Sequence, residues 1–163
     1  APQRLTPRRS DEAEAWSLSG SHGLDAFPWH TDGAVALAPP QWVLLEAKEV
    51  SSPTYTDLLL PTGDLLRLFK RTTLRAKERQ GQVRWLPAWV PDGAHGRLRW
   101  DERTCQPNRD DVVGAMAQAR SSDRVEWIPG RVLILNNRRV LHRRPAVGAN
   151  QLRVLDRVYV WGD

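Results

Sequence analysis

Apolar residues in this chain come in short bursts between turn-forming residues, with little of the sustained three-to-four spacing that marks long helices. The segment WVLLEAKEV over 42–50 joins an apolar run to an alternating tail, and TYTDLLLP over 54–61 leans towards strand. RVLILNNRRVLH over 131–142 opens as a near-continuous buried strand. Alternation is clearest near the carboxyl end, in QLRVLDRVYVW. There Leu152, Val154, Val158 and Val160 share one face, while Arg153, Leu155, Arg157, Tyr159 and Trp161 share the other. Helical patterning is confined to two places. Gly63 to Lys70 predicts two turns with Asp64 near the amino end, and Arg109 to Arg120 predicts a short amphipathic helix with acids first and an arginine last. Between them, Leu74 to Pro107 holds Trp85, Trp89, Trp100, Pro87, Pro91, Gly93 and Gly96, which reads as strands and a long loop. Residues 1–13 are polar and proline-containing and predict a flexible amino-terminal arm ahead of one domain over 14–163. Many short strands in one domain predict a mainly β fold, a sandwich or a jelly roll, with one or two short helices.

Composition narrows the function classes. A chain of 163 residues with 40% hydrophobic and 26% charged residues matches a single globular domain and excludes a disordered or fibrous protein. No apolar run approaches the ~18 residues of a spanning helix, so no membrane role is expected. Cys105 is alone, which excludes an internal disulfide and a cysteine zinc site. The net charge of +5 invites a nucleic-acid reading. However, three lysines stand against 21 arginines, the basic residues are spread from Arg4 to Arg157, and aromatics do not interleave with them. Codon usage in a GC-rich genome accounts for that bias, and no nucleic-acid partner is expected. Residues 1–14 have no apolar core of the secretory kind, so the expected compartment is the cytoplasm. The chain begins at Ala1 and its one methionine is Met116, which predicts a processed or trimmed chain or a piece of a longer one. Eight tryptophans predict a large buried apolar surface, used mostly for core packing and in part for an oligomer contact or a pocket.

The histidines bring in chemistry. His22 in SGSHG and His95 in DGAHG sit between glycines and read as exposed turns. His30 differs, because Asp32 follows two residues later in FPWHTDG. An extended segment would put both on one face, about 7 Å apart at the backbone, close enough to converge on one metal. His142 ends an apolar strand among arginines. Two histidines and one carboxylate are the composition of the facial triad that holds non-haem Fe(II) and leaves three positions open. A closed zinc site wants a fourth protein ligand, and none presents itself.

In these residues the chain resembles the taurine dioxygenase-like branch of the Fe(II)/2-oxoglutarate-dependent oxygenases, which includes the clavaminate synthase-like enzymes. Three places carry the likeness. WHTDGA at 29–34 gives the His-x-Asp element, followed by Pro39-Pro40. Gly130 to Arg144, GRVLILNNRRVLHRR, fits the family's distal-histidine context. Arg153 and Arg157 fall eleven and fifteen residues after His142. The likeness covers roughly Ser17 to the end, carries no motif over 75–125, and has little of the family's usual amino-terminal portion.

The resemblance implies a double-stranded β-helix, or jelly roll, in which His30, Asp32 and His142 bind iron and Arg153 pairs with the distal carboxylate of 2-oxoglutarate. Thr56 matches the threonine that assists that carboxylate, although the two family glycines before it are Pro53 and Thr54 here. For Arg157 two roles stand open: holding the cosubstrate or an anionic substrate group, or a salt bridge in the barrel wall. The implied cofactors are Fe(II), 2-oxoglutarate and O2, and the implied activity is hydroxylation of a small polar molecule such as an amino acid or natural-product intermediate. A homo-oligomer or partner is expected to cover an exposed sheet edge. Two alternatives are a cupin-like metal protein without 2-oxoglutarate chemistry and a non-catalytic basic interaction domain.

Overall fold

The computed structural model describes residues 1–51 and 53–162. In chain order its elements are β1 (Gln3–Leu5), a single 3-10 turn (Ser10–Glu12), α1 (Leu18–His22), β2 (Trp42–Val50), β3 (Tyr55–Leu59), α2 (Gly63–Lys70), β4 (Thr73–Lys77), β5 (Val83–Pro87), β6 (Trp89–Val90), β7 (Arg97–Leu98), β8 (Cys105–Pro107), α3 (Asp110–Gln118), β9 (Asp123–Glu126), β10 (Val132–Asn136), β11 (Leu141–Arg143) and β12 (Arg153–Val160).

The longest alternating segments build the main layer. β2 and β12 pair antiparallel along their length, with β1 on the far side of β12 and β10 on the far side of β2, in the order β1-β12-β2-β10. A three-stranded sheet, β11-β3-β9, provides the second layer. Val43, Leu45 and Ala47 of β2, Leu135 of β10 and Leu155 of β12 pack with Leu58, Val125 and the buried Trp127, so the two sheets close on a shared apolar core. This is the jelly-roll arrangement that the resemblance implies. A second core lies outside it, where Phe69 of α2, Leu74 of β4 and Val112 and Met116 of α3 enclose Trp100 beside Leu141 of β11. Val112 and Met116 are four residues apart and so lie on one face of α3. Asp110 and Asp111 open that helix, and Arg67 and Lys70 close α2, in each case matching side-chain charge to the helix dipole.

Several expectations are refined. There are three short α-helices rather than one or two, because most of SGSHG, which reads as a turn, lies in α1, with Ser17 capping its amino end. His22 therefore ends a helix and is half-buried against Phe27. The apolar stretch 131–142 is two strands in two sheets, since the chain turns after Asn136 and re-enters as β11. Within 1–13, residues 3–5 form edge strand β1, and Arg4 pairs with Asp156 of β12. Of the tryptophans, 29, 100 and 127 are buried, 42 and 89 are half-buried, and 16, 85 and 161 are exposed. Core packing thus takes fewer of them than expected. No helix among the described residues is long and apolar enough to cross a membrane.

Candidate metal centre and anion pocket

His30 and His142 come together through their backbones. Each amide donates to the other's carbonyl, at 3.1 Å from His30 and 2.9 Å from His142, and the two rings stand 4.4 Å apart. Two residues on, Asp32 sits at the start of a turn. Gly33, at φ +70°, bends the chain against Pro39 and Pro40, a conformation that glycine adopts without strain. The buried Asn137 locks this turn. Its carbonyl oxygen accepts from the Asp32 amide at 2.7 Å, and its amide nitrogen donates to the carbonyls of Asp32 and Pro40 at 2.9 and 3.0 Å. One side chain from the β10–β11 turn thereby holds the first two ligand candidates in register with the third.

The donor atoms of His30, Asp32 and His142 lie within 4.8 Å of one another, and all three residues are buried. The Nε2 atoms of His30 and His142 stand 3.6 and 3.7 Å from Asp32 Oδ1. His30 Nδ1 donates to the Pro28 carbonyl at 3.0 Å, which leaves the Nε2 lone pair aimed at the cluster. Burial, reinforced by His30, pushes the His142 imidazole down to about 3, so it is neutral and ready to ligate near neutral pH. For Asp32, burial alone would raise the carboxyl. His142 in its protonated form, then Arg157 and His30, and a hydrogen bond from Tyr159 outweigh that and hold it at about 2. Two neutral-capable imidazoles and one carboxylate on one side of a buried point are a donor set that fits a divalent iron with open positions.

The second cluster lies in the same cavity of about 450 Å³, which contains the triad, Thr56 and Arg153. Arg153 is buried, and burial followed by repulsion from Arg144 lowers its guanidinium to about 9, still cationic at neutral pH. Its Nη2 donates to Thr56 Oγ1 at 3.2 Å, and Trp127 Nε1 donates to the same oxygen at 2.9 Å. Thr56 thus accepts twice and keeps its own proton for a ligand. Arg153 Nε has no hydrogen-bond partner, and no acid pairs with this guanidinium among the described residues. A buried cation without an anion is costly, and this corner has the charge and the free donors that an anionic group would satisfy.

Arg157 also lines the cavity but faces Asp32, donating from Nη1 to Oδ2 at 3.0 Å and from Nη2 to Gln3 Oε1 at 2.6 Å. Tyr159 donates its hydroxyl to the same Oδ2 at 3.0 Å. Asn137 and Tyr159 thus both hydrogen-bond to Asp32, contacts that the local sequence pattern does not single out. Asn137 lay inside the NNR element before His142, and Tyr159 lay on the face of β12 that carries Arg153 and Arg157.

No protein-family model and no curated protein sequence matches the chain. Solved structures do. An asparagine oxygenase superposes with a TM-score of 0.74 at 16% identity, over 98% of this chain and 55% of its own. The non-heme iron oxygenase OrfP, in complex with Fe and α-ketoglutaric acid, gives a TM-score of 0.69 at 23% identity over 99% of this chain and 56% of its own. A taurine dioxygenase from Burkholderia xenovorans gives 0.69 at 16% identity over 99% of this chain and 64% of its own. The chain thus has, over nearly its whole length, the fold of these iron-dependent oxygenases, while spanning little more than half of theirs.

Proposed function

We propose that this chain is a non-haem Fe(II)/2-oxoglutarate-dependent oxygenase that hydroxylates a small polar molecule, with an amino acid or natural-product intermediate as the substrate class. The observation that carries the reading is the pairing, inside one cavity, of a buried His-Asp-His cluster with a buried, acid-free guanidinium. His30, Asp32 and His142 would hold the metal. Bound there, Fe(II) supplies the activation of O2, coupled to oxidative decarboxylation of 2-oxoglutarate to succinate and CO2, that puts one oxygen atom into a substrate C–H bond.

The chain's own residues orient and exclude. Arg153 receives the distal carboxylate of 2-oxoglutarate in a charge-assisted, fork-like pair, and Thr56 adds its free hydroxyl proton. Leu45 and Leu155, which also line the cavity, keep water from the cosubstrate's aliphatic stem. The small-polar-substrate reading draws support from the ligands of structurally similar proteins, an asparagine oxygenase with 3-hydroxyasparagine and OrfP with hydroxyarginine.

The test is anaerobic addition of Fe(II) and then 2-oxoglutarate, watching for the visible charge-transfer band of the chelate. Wild type is expected to show the band and His142→Ala to lose it. A wild type with no band overturns the assignment. A wild type that binds the metal but not 2-oxoglutarate favours a metal protein without this cosubstrate, and unchanged 2-oxoglutarate affinity in Arg153→Gln overturns the role given to Arg153. Calorimetry with free amino acids on the loaded protein then addresses the substrate class, and no binding beyond 2-oxoglutarate counts against it.

A further inference from the structure

The carboxylate of Asp32 is divided between two tasks. Oδ1 faces the Nε2 atoms of both histidines, at 3.6 and 3.7 Å, while Oδ2 accepts from Arg157 Nη1 and from the Tyr159 hydroxyl, each at 3.0 Å. Arg157 and Tyr159 are two apart on β12, on its cavity-facing side, so a single strand delivers both donors to one oxygen. The Arg157 guanidinium is itself braced. Its Nη2 donates to Gln3 Oε1 at 2.6 Å, its plane lies over the Tyr159 ring at 4.7 Å, and Gln3 is the residue that β1 pairs with Arg157 across the sheet. Tyr159 is held in turn edge-on against Trp161 at 5.8 Å.

We propose that Arg157 and Tyr159 act as a clamp that makes Asp32 a one-oxygen metal ligand. The inference rests on the oxygenase reading. With Oδ2 doubly engaged, only Oδ1 is presented beside the histidines. A carboxylate released from the clamp is free to offer both oxygens and so to take up a position that cosubstrate and O2 need. Both donors bond to Asp32 Oδ2, so their effect on the metal is exerted through Asp32 as positioning residues.

Mn(II) and Co(II) binding to the full chain, without 2-oxoglutarate or O2, tests this apart from turnover. Wild type should bind one equivalent of either ion. Tyr159→Phe keeps the ring against Trp161 and is expected to weaken Mn(II) binding about 10-fold, and Arg157→Met up to about 100-fold. In both variants the visible bands of bound Co(II) should shift, as an added carboxylate oxygen changes the coordination number. Gln3→Ala, which removes only the brace, should produce a smaller loss of the same kind. Metal-free Tyr159→Phe should still unfold cooperatively, with only the modest drop in unfolding temperature expected for one lost hydrogen bond, and the loss of metal affinity is read against that baseline. Should Arg157→Met not fold, Tyr159→Phe decides alone. Wild-type affinity and an unchanged Co(II) spectrum in Tyr159→Phe would overturn the clamp while leaving the metal site standing. A wild type that takes up neither ion overturns the oxygenase reading and the clamp with it.

Discussion

The two faces of β12 invert the usual relation between polarity and burial. The inward face carries Arg153, Leu155, Arg157 and Tyr159, three of them polar, and lines the cavity. The outward face carries Val158 and Val160, 37% and 41% exposed, beside Ile134 at 62% and Val132 at 54% on β10. The register makes this a continuous apolar surface, with Ile134 and Val158 each opposite Leu44 of β2. An ordinary antiparallel sheet puts its apolar face inward and its polar face outward. Here the inner face gives up apolar area to hold charged and polar groups, each of which makes at least one hydrogen bond. The outer face contributes little to folding as it stands.

That contrast can be broken in measurable ways. Leu155, 1% exposed in the core between the sheets, should show the largest stability effect. Leu155→Ala is expected to cost about 3 kcal/mol in denaturant unfolding, through lost burial and the cavity it leaves. Next comes Arg153→Gln, which removes the cation from the acid-free corner. By calorimetry, 2-oxoglutarate binding to the metal-loaded protein should weaken by about 10- to 100-fold, the range for hydrogen bonds to charged groups.

A third effect comes from the second sheet, where the buried Asp57 accepts from Arg124 at 2.6 Å and Arg143 at 3.4 Å. Burial alone would raise this carboxyl, yet those two arginines hold it below the ordinary range. A lowered folded-state pKa means the contribution is fully present above the unfolded value near 4 and is lost as pH falls through the folded value. Thermal unfolding of wild type should therefore lose more stability than that of Asp57→Asn as pH is lowered below about 4. The smallest effect belongs to the outer face. Val158→Thr and Ile134→Thr should each change stability by no more than about 0.5 kcal/mol while raising solubility. A loss there comparable to that of Leu155→Ala would mean the outer face is covered in solution.

Local patterning was legible wherever neighbours along the chain settled it. The helix predicted over 63–70 has those bounds, the strand expected over 42–50 is β2, and the acids of 109–120 open α3. Patterning misled where a tertiary demand interrupted it. The run 131–142 looks continuous because apolar Val140 and Leu141 resume soon after apolar β10, but Asn137 must turn the chain to reach Asp32. Alternation in β12 also told which residues share a side without telling which side is inside. A bulge between Val154 and Leu155 further shifts the register, so that Val154, nominally on the outer side, is buried as well.

By itself the sequence determined the chemical inventory: two histidines and an aspartate at spacings that suit one metal, an arginine and a threonine at the places where the family resemblance implies a carboxylate site, and a succession of strands and turns that reads as a mainly β fold. Residue type sets which ligands and charges exist, and period-two alternation sets which of them move together. Only the tertiary structure decided how they are shared out. Arg157 and Asp32 stand 125 residues apart and meet because β2 joins β12 to the remainder of the sheet and Asn137 pins the His-x-Asp turn beneath it. Such contacts depend on strand pairing between distant segments, to which the local pattern is blind. That one oxygen of Asp32 faces the two histidines while the other accepts from Arg157 and Tyr159 is therefore a property of the fold.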